Sequence, residues 1–136
     1  MSNSKLDKIP RMAVECIIPI LRVNSVAASI RFYVDVLGFK VNWGGEDGST
    51  FASVSRDRRS IMLSQGEQGH PGTWLWIGVE DIEPLFADLS AKSVKIVEKP
   101  TNYPWAYEMK VEDPDGHVLR FGSEARFDLP FEEFIG

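Results

Sequence analysis

Hydrophobic and polar positions follow one order along the chain, and they follow it twice. Residues 14–23 have the β-branched, apolar character of a well-buried strand, and Asn24 or Ser25 can cap the helix behind it. In that helix Val26, Ile30, Tyr33, Val34 and Leu37 recur at steps of three and four, drawing one core-facing stripe that Gly38 ends. Residues 39–43, 50–55 and 60–64 then read as strands. They are separated by Gly44-Gly45-Glu46-Asp47-Gly48 and Arg56-Asp57-Arg58-Arg59, which are hairpin signals.

After the linker Gly66-Glu67-Gln68-Gly69-His70-Pro71-Gly72 the order returns: a strand over 73–79, a helix from Glu80 to about Ala91, and strands near 94–98, 108–112 and 117–122. Pro84 fits because it falls in the first helical turn. The expected fold class is α+β, two βαβββ modules of about 14–65 and 73–122 in a single domain spanning 1–136. A C-terminal tail, 123–136, carries Phe127, Leu129, Phe131, Phe134 and Ile135 among acidic residues and is expected to pack on this domain or on a partner subunit.

Composition narrows the functional classes. The chain has 136 residues, 43% hydrophobic and 26% charged, and suits one compact soluble domain. A formal net charge of -5 argues against sequence-independent nucleic-acid binding, which needs clustered Lys and Arg, and accommodates a cationic partner more easily. No stretch approaches the roughly 18 apolar residues of a membrane span, so a cytoplasmic protein is expected. Cys16 is the sole cysteine; its apolar surroundings predict buried packing rather than redox chemistry.

Two segments carry a resemblance. Leu21-Arg22-Val23 through Phe32-Tyr33 to Leu37-Gly38-Phe39, and Asp113-Pro114-Asp115-Gly116-His117-Val118-Leu119-Arg120-Phe121, resemble signatures of the vicinal oxygen chelate superfamily. Ile18-Pro19-Ile20-Leu21, Trp74-Leu75-Trp76-Ile77-Gly78-Val79 and Tyr103-Pro104-Trp105 are most similar to the bleomycin-resistance branch, and the likeness spans roughly residues 14–124. It implies curved mixed sheets and a homodimer with an exchanged N-terminal strand. Ile18 and Met62 of one chain would then face Trp74 and Arg120 of the other across a cleft.

Metal-dependent members of the superfamily draw His, Glu or Gln ligands from these strand positions. Here the resemblance places Ile18, Met62, Trp74 and Arg120 there, a set with no hard or borderline donor. No metal and no cofactor are expected. His70 in the linker and His117 after the Asp-Pro-Asp-Gly turn read as surface histidines, and Asp113 and Asp115 as turn formers. The serines 53, 55, 60 and 64 lack a His-carboxylate partnership in sequence, and no glycine-rich phosphate motif occurs.

The remaining candidates are aromatic. Alternation puts Trp74 and Trp76 on one strand face, and the same counting puts Trp105 with Tyr107. Each ring could fill the core, yet four at cleft-predicted positions point to stacking on a planar ligand or a cation. Arg120 either bonds a ligand or pairs with a carboxylate such as Glu108, and the pairing is the favoured reading. The expected function is non-catalytic sequestration of a planar, cationic antibiotic or natural product of bleomycin type. The alternatives are a lyase, isomerase or dioxygenase of the same fold, with a displaced or absent metal site drawing on His70, His117, Glu15, Glu108 or Glu112, and a binding component whose tail docks a partner.

Overall fold

In the computed structural model, which describes residues 9–132, each half of the chain folds an apolar stripe onto one face of a sheet. The first half contributes β1 (Ile20–Arg22), β2 (Lys40–Gly44), β3 (Phe51–Arg56) and β4 (Arg59–Ser64), in the order β1-β4-β3-β2. The second contributes β5 (Trp74–Gly78), β6 (Lys95–Asn102), β7 (Tyr107–Glu112) and β8 (Val118–Ser123), in the order β5-β8-β7-β6. In each sheet the first strand runs parallel to the last and the other pairs are antiparallel. Between first and second strands lie α1 (Val26–Arg31), continued by a π-helical stretch over Phe32–Val36, and α2 (Ile82–Ser90). The expected pair of βαβββ modules is therefore present.

The helices start where side chains can take up orphan N–H groups. Ser25 Oγ accepts from the Ala28 N–H at 3.1 Å, and Asp81 accepts from Glu83 at 3.0 Å. Strand alternation then divides each sheet. Leu75, Ile77, Met109, Val111, Leu119 and Phe121 enter a core that is continuous with Leu21, Ala52, Val54 and Leu63 of the first module. Each fully buried side chain of this kind contributes about 1.5–3 kcal/mol. The intervening residues of the second sheet, Trp74, Trp76, Glu108, Lys110 and Arg120, are left on the opposite face.

The Asp-Pro-Asp-Gly turn locks the modules together. Asp113 Oδ1 accepts the N–H groups of Asp115 and His117, each at 2.9 Å, while Oδ2 accepts the Tyr33 hydroxyl at 2.8 Å. Asp115 accepts from the Asn24 N–H at 2.7 Å and the Ser29 hydroxyl at 3.2 Å. Burial pushes the Tyr33 phenol well up, with Asp113 adding to it; burial likewise raises the Asp113 carboxyl against the lowering effect of the Tyr33 hydrogen bond. His117 is fully buried rather than superficial. Its Nδ1 accepts the Thr73 N–H at 3.0 Å, which leaves Nε2 to donate to the Arg22 carbonyl at 2.6 Å. The turn formers are turn formers, and the turn is a clamp.

Two further expectations are corrected. The first strand does not begin at Val14: the parallel register Ile20↔Met62 would set Ile17 opposite Arg59, the first residue of β4, and Cys16 opposite the turn before it. Val14 and Cys16 lie beyond the end of β4 and are exposed, Ile17 opposite its first residue is exposed as well, and Cys16 is therefore not buried as expected. The described part of the tail is hydrogen-bonded to its own domain, but its apolar side chains do not pack there: Phe127, Leu129 and Phe131 stay exposed. The Asn102 side chain donates to the Arg126 carbonyl at 2.6 Å and accepts its N–H at 2.8 Å, while Phe127 and Phe131 meet edge to face at 6.0 Å. Phe134 and Ile135 lie outside the described residues. No helix among the described residues is long and apolar enough to cross a membrane.

Candidate ligand site

The open face of the second sheet is organised by one carboxylate. Glu108 alternates with the core residues Tyr107 and Met109, so its side chain leaves β7 on the open side, yet it is completely buried. Its roof is made of donors. Trp76 Nε1–H and Trp105 Nε1–H each reach Glu108 Oε2 at 3.1 Å, Arg120 Nε–H reaches Oε1 at 2.9 Å, and Arg120 Nη2–H reaches Oε2 at 3.3 Å. A carboxylate is acceptor-only, and these four donors satisfy it. The pairing of Arg120 with a carboxylate is thus present, and it also fixes two indoles.

Glycine makes the floor under Trp76. A Cβ on Gly122 would lie 2.5 Å from Trp76 Cζ2, and one on Gly78 would lie 2.8 Å from Cζ3. Both sites need glycine for this close approach, so the indole lies flat across β5 and β8. Trp105 continues the aromatic row by stacking on Tyr103, with centroids 4.7 Å apart and planes 6° from parallel. The Tyr103 hydroxyl donates to Glu98 Oε2 at 3.2 Å, and Lys110 pairs with the same oxygen at 3.0 Å. Desolvation first, then Glu98, raises the Tyr103 phenol. An open hollow of about 460 Å³ lies beside these rings, bordered by Trp76, Trp105, Gly122 and the exposed carboxylates Glu80 and Glu124. A depression of about 230 Å³ in the first module, between α1 and residues 45–50, has no aromatic lining.

The named site residues fall into three groups. Trp74, Trp76 and Trp105 are 59%, 56% and 48% exposed, which leaves large ring faces uncovered, and Arg120 stands among them. Ile18 and Met62 belong to the first sheet and its approach, both half-buried, with Met62 paired to Ser53. Tyr107 does not join the row. Trp105 sits in the turn before β7, so period-two counting cannot be carried from it to Tyr107, which points into the core. There its hydroxyl donates to Glu83 at 3.1 Å, and the Arg126 guanidinium covers the ring at 5.7 Å.

Sequence reasoning missed Trp43, half exposed and stacked on Phe51 at 5.6 Å and 7° in the first sheet. Its alternation is interrupted by a bulge between Val41 and Trp43. The glycine floor was missed too; its signal was a glycine recurring at the same register position of two paired strands, Gly78↔Gly122.

A divalent cation does not fit the four strand positions. Ile18 and Trp74 offer no lone pair, Met62 only a soft sulfur, and Arg120 a cation already bound to Glu108. No three His, Cys, Asp or Glu residues among the described ones are grouped to hold a metal. Chemically, the face offers aromatic planes of fixed orientation, bordered by negative charge.

Comparison with known proteins agrees with this fold. TnmS3, an antibiotic binding protein from Streptomyces sp. CB03234, superposes with a TM-score of 0.74 at 22% identity, covering 85% of this chain and 100% of its own. TioX from Micromonospora sp. ML1 gives 0.72 at 21% identity, covering 79% and 97%. A glyoxalase/bleomycin resistance protein from Streptomyces sp. CB03234 gives 0.66 at 24%, covering 78% and 97%. No curated protein matches the sequence. The profile of one family matches residues 9–121, and the chain thereby belongs to the Glyoxalase/Bleomycin resistance protein/Dioxygenase superfamily.

Proposed function

We propose that this protein binds and sequesters a planar, cationic antibiotic or natural product of bleomycin type, without chemical conversion, in the aromatic cleft of the second sheet. The observation that carries the proposal is the row of exposed indoles held rigidly by Glu108. Rings fixed in advance lose little freedom on binding, and each stacking or cation–π contact contributes about 0.5–2 kcal/mol. Protection would then be stoichiometric. The antibiotic-binding activity stated for TnmS3 is consistent with this use of the fold.

The cleft is completed by a second copy of the chain in this proposal. Ile9, Met12, Val14 and Ile17 lead into β1 as exposed apolar residues, a segment suited to exchange onto a partner. Ile18 and Met62 of one protomer would then close over Trp74 and Arg120 of the other, placing two clefts in the dimer. Cells expressing the protein should tolerate bleomycin in proportion to the amount of protein, with the drug recovered intact. Sensitivity equal to that of control cells would count against sequestration of this ligand.

A further inference from the structure

Four N–H donors end on one buried carboxylate, and this fixes more than the positions of rings. We infer that Glu108 determines the charge preference of the cleft: by polarising Trp76 and Trp105 and by cancelling Arg120, it makes the site select a cationic planar ring system over a neutral or anionic one. The inference rests on the binding function proposed above and deepens it.

Three features lead there. First, both indole N–H groups are taken, so Trp76 and Trp105 present a ligand with π faces rather than donors. An indole N–H that donates to a full negative charge is polarised, and its ring face becomes more electron-rich, the property that attracts a cation. Second, Arg120 stands in register with Trp76 and is one-third exposed. Unpaired, it would repel a cation and draw an anion; the 2.9 Å bond to Glu108 removes that effect. Third, Glu80 and Glu124 border the same hollow and are exposed, so the surrounding charge has the same sign. Mere ring support does not require a carboxylate. A buried ion pair contributes little net stability compared with a packed apolar group, so stability alone does not account for the arrangement.

The test uses three planar tricyclic probes that differ in charge: 10-methylacridinium, acridine and acridine-9-carboxylate, titrated at mildly alkaline pH where acridine is uncharged. The wild-type protein should bind the cation roughly tenfold tighter than acridine, with the anion weakest. In Glu108→Gln that ratio should fall to about one or reverse toward the anion, as Arg120 is left uncancelled. Two far-downfield indole N–H proton resonances in the wild type should move upfield in the variant, a readout independent of any probe. Should Glu108→Gln fail to fold, the double variant E108Q/R120M, which leaves no lone charge, carries the test and should lose most of the cation preference, keeping only the part that Glu80 and Glu124 supply. An unchanged cation-to-neutral ratio in whichever variant folds would overturn the inference and reduce Glu108 to a support. Equal binding of all three probes by the wild type would overturn it too while leaving aromatic binding intact; binding of none would remove the binding function itself.

Discussion

At the residue scale the site depends on contacts too close to tolerate one added carbon. Gly122→Ala places a methyl group 2.5 Å from Trp76 Cζ2, and because Glu108 holds the indole nitrogen the ring must tilt rather than slide away. We expect ligand affinity to fall roughly tenfold, about 1.4 kcal/mol, with a much smaller change in thermal stability. Parallel titration and thermal melts check this, and equal losses in both would show a folding defect instead. Glu108→Ala is a different kind of change, since it strands the Arg120 guanidinium and two indole N–H groups together. Breaking a buried pair from one side costs about 3 kcal/mol or more, here discounted because Arg120 is partly exposed, so urea denaturation should show a loss of about 2–3 kcal/mol.

Between elements, the Asp-Pro-Asp-Gly turn ties stability to pH. Burial raises Asp113 above its ordinary value of 3.8, so the folded chain holds that proton more tightly than the unfolded chain does. Its contribution is complete below the ordinary value and is lost as pH climbs through the raised one. The stability of wild type minus that of Asp113→Asn should therefore decrease as pH rises through this window and level off above it; an increase would contradict the assignment. A second element-scale test concerns the tail. Asn102→Ala removes the bonds in both directions to Arg126, and limited proteolysis should then cut within residues 123–132 at protease concentrations that the wild type resists.

The elements also explain what could be read from sequence. The repeat was legible because each helix changes the apolar step from two to three or four, and Trp74 with Trp76 was legible because both lie inside one regular strand. Counting failed wherever it crossed a strand end. Residues 14–16 continue an apolar pattern past the end of the neighbouring strand, and Tyr107 was paired with a residue that lies in a turn. His117 looked superficial because it follows a turn, and nothing local reveals that this turn docks on Arg22, some ninety residues earlier.

For the molecule as a whole, the two sheets share a core on one side and leave the other sides open, one carrying Trp43, Phe51 and Met62 and the other Trp74, Trp76 and Trp105. Faces of this kind suit closure by a second copy, so light scattering at micromolar concentration should give the mass of a dimer. A monomer would leave each cleft half-built. The most direct test of the central claim is a titration with metal-free and copper-loaded bleomycin, followed by tryptophan fluorescence, confirmed by calorimetry, with the ligand recovered and analysed afterwards. Saturable binding below about 1 µM, roughly -8 kcal/mol, near one ligand per chain, with Trp74→Ala abolishing most of the quenching and the ligand returned unchanged, is the predicted result. Absence of binding up to about 1 mM, roughly -4 kcal/mol, or recovery of a chemically altered ligand, would contradict it.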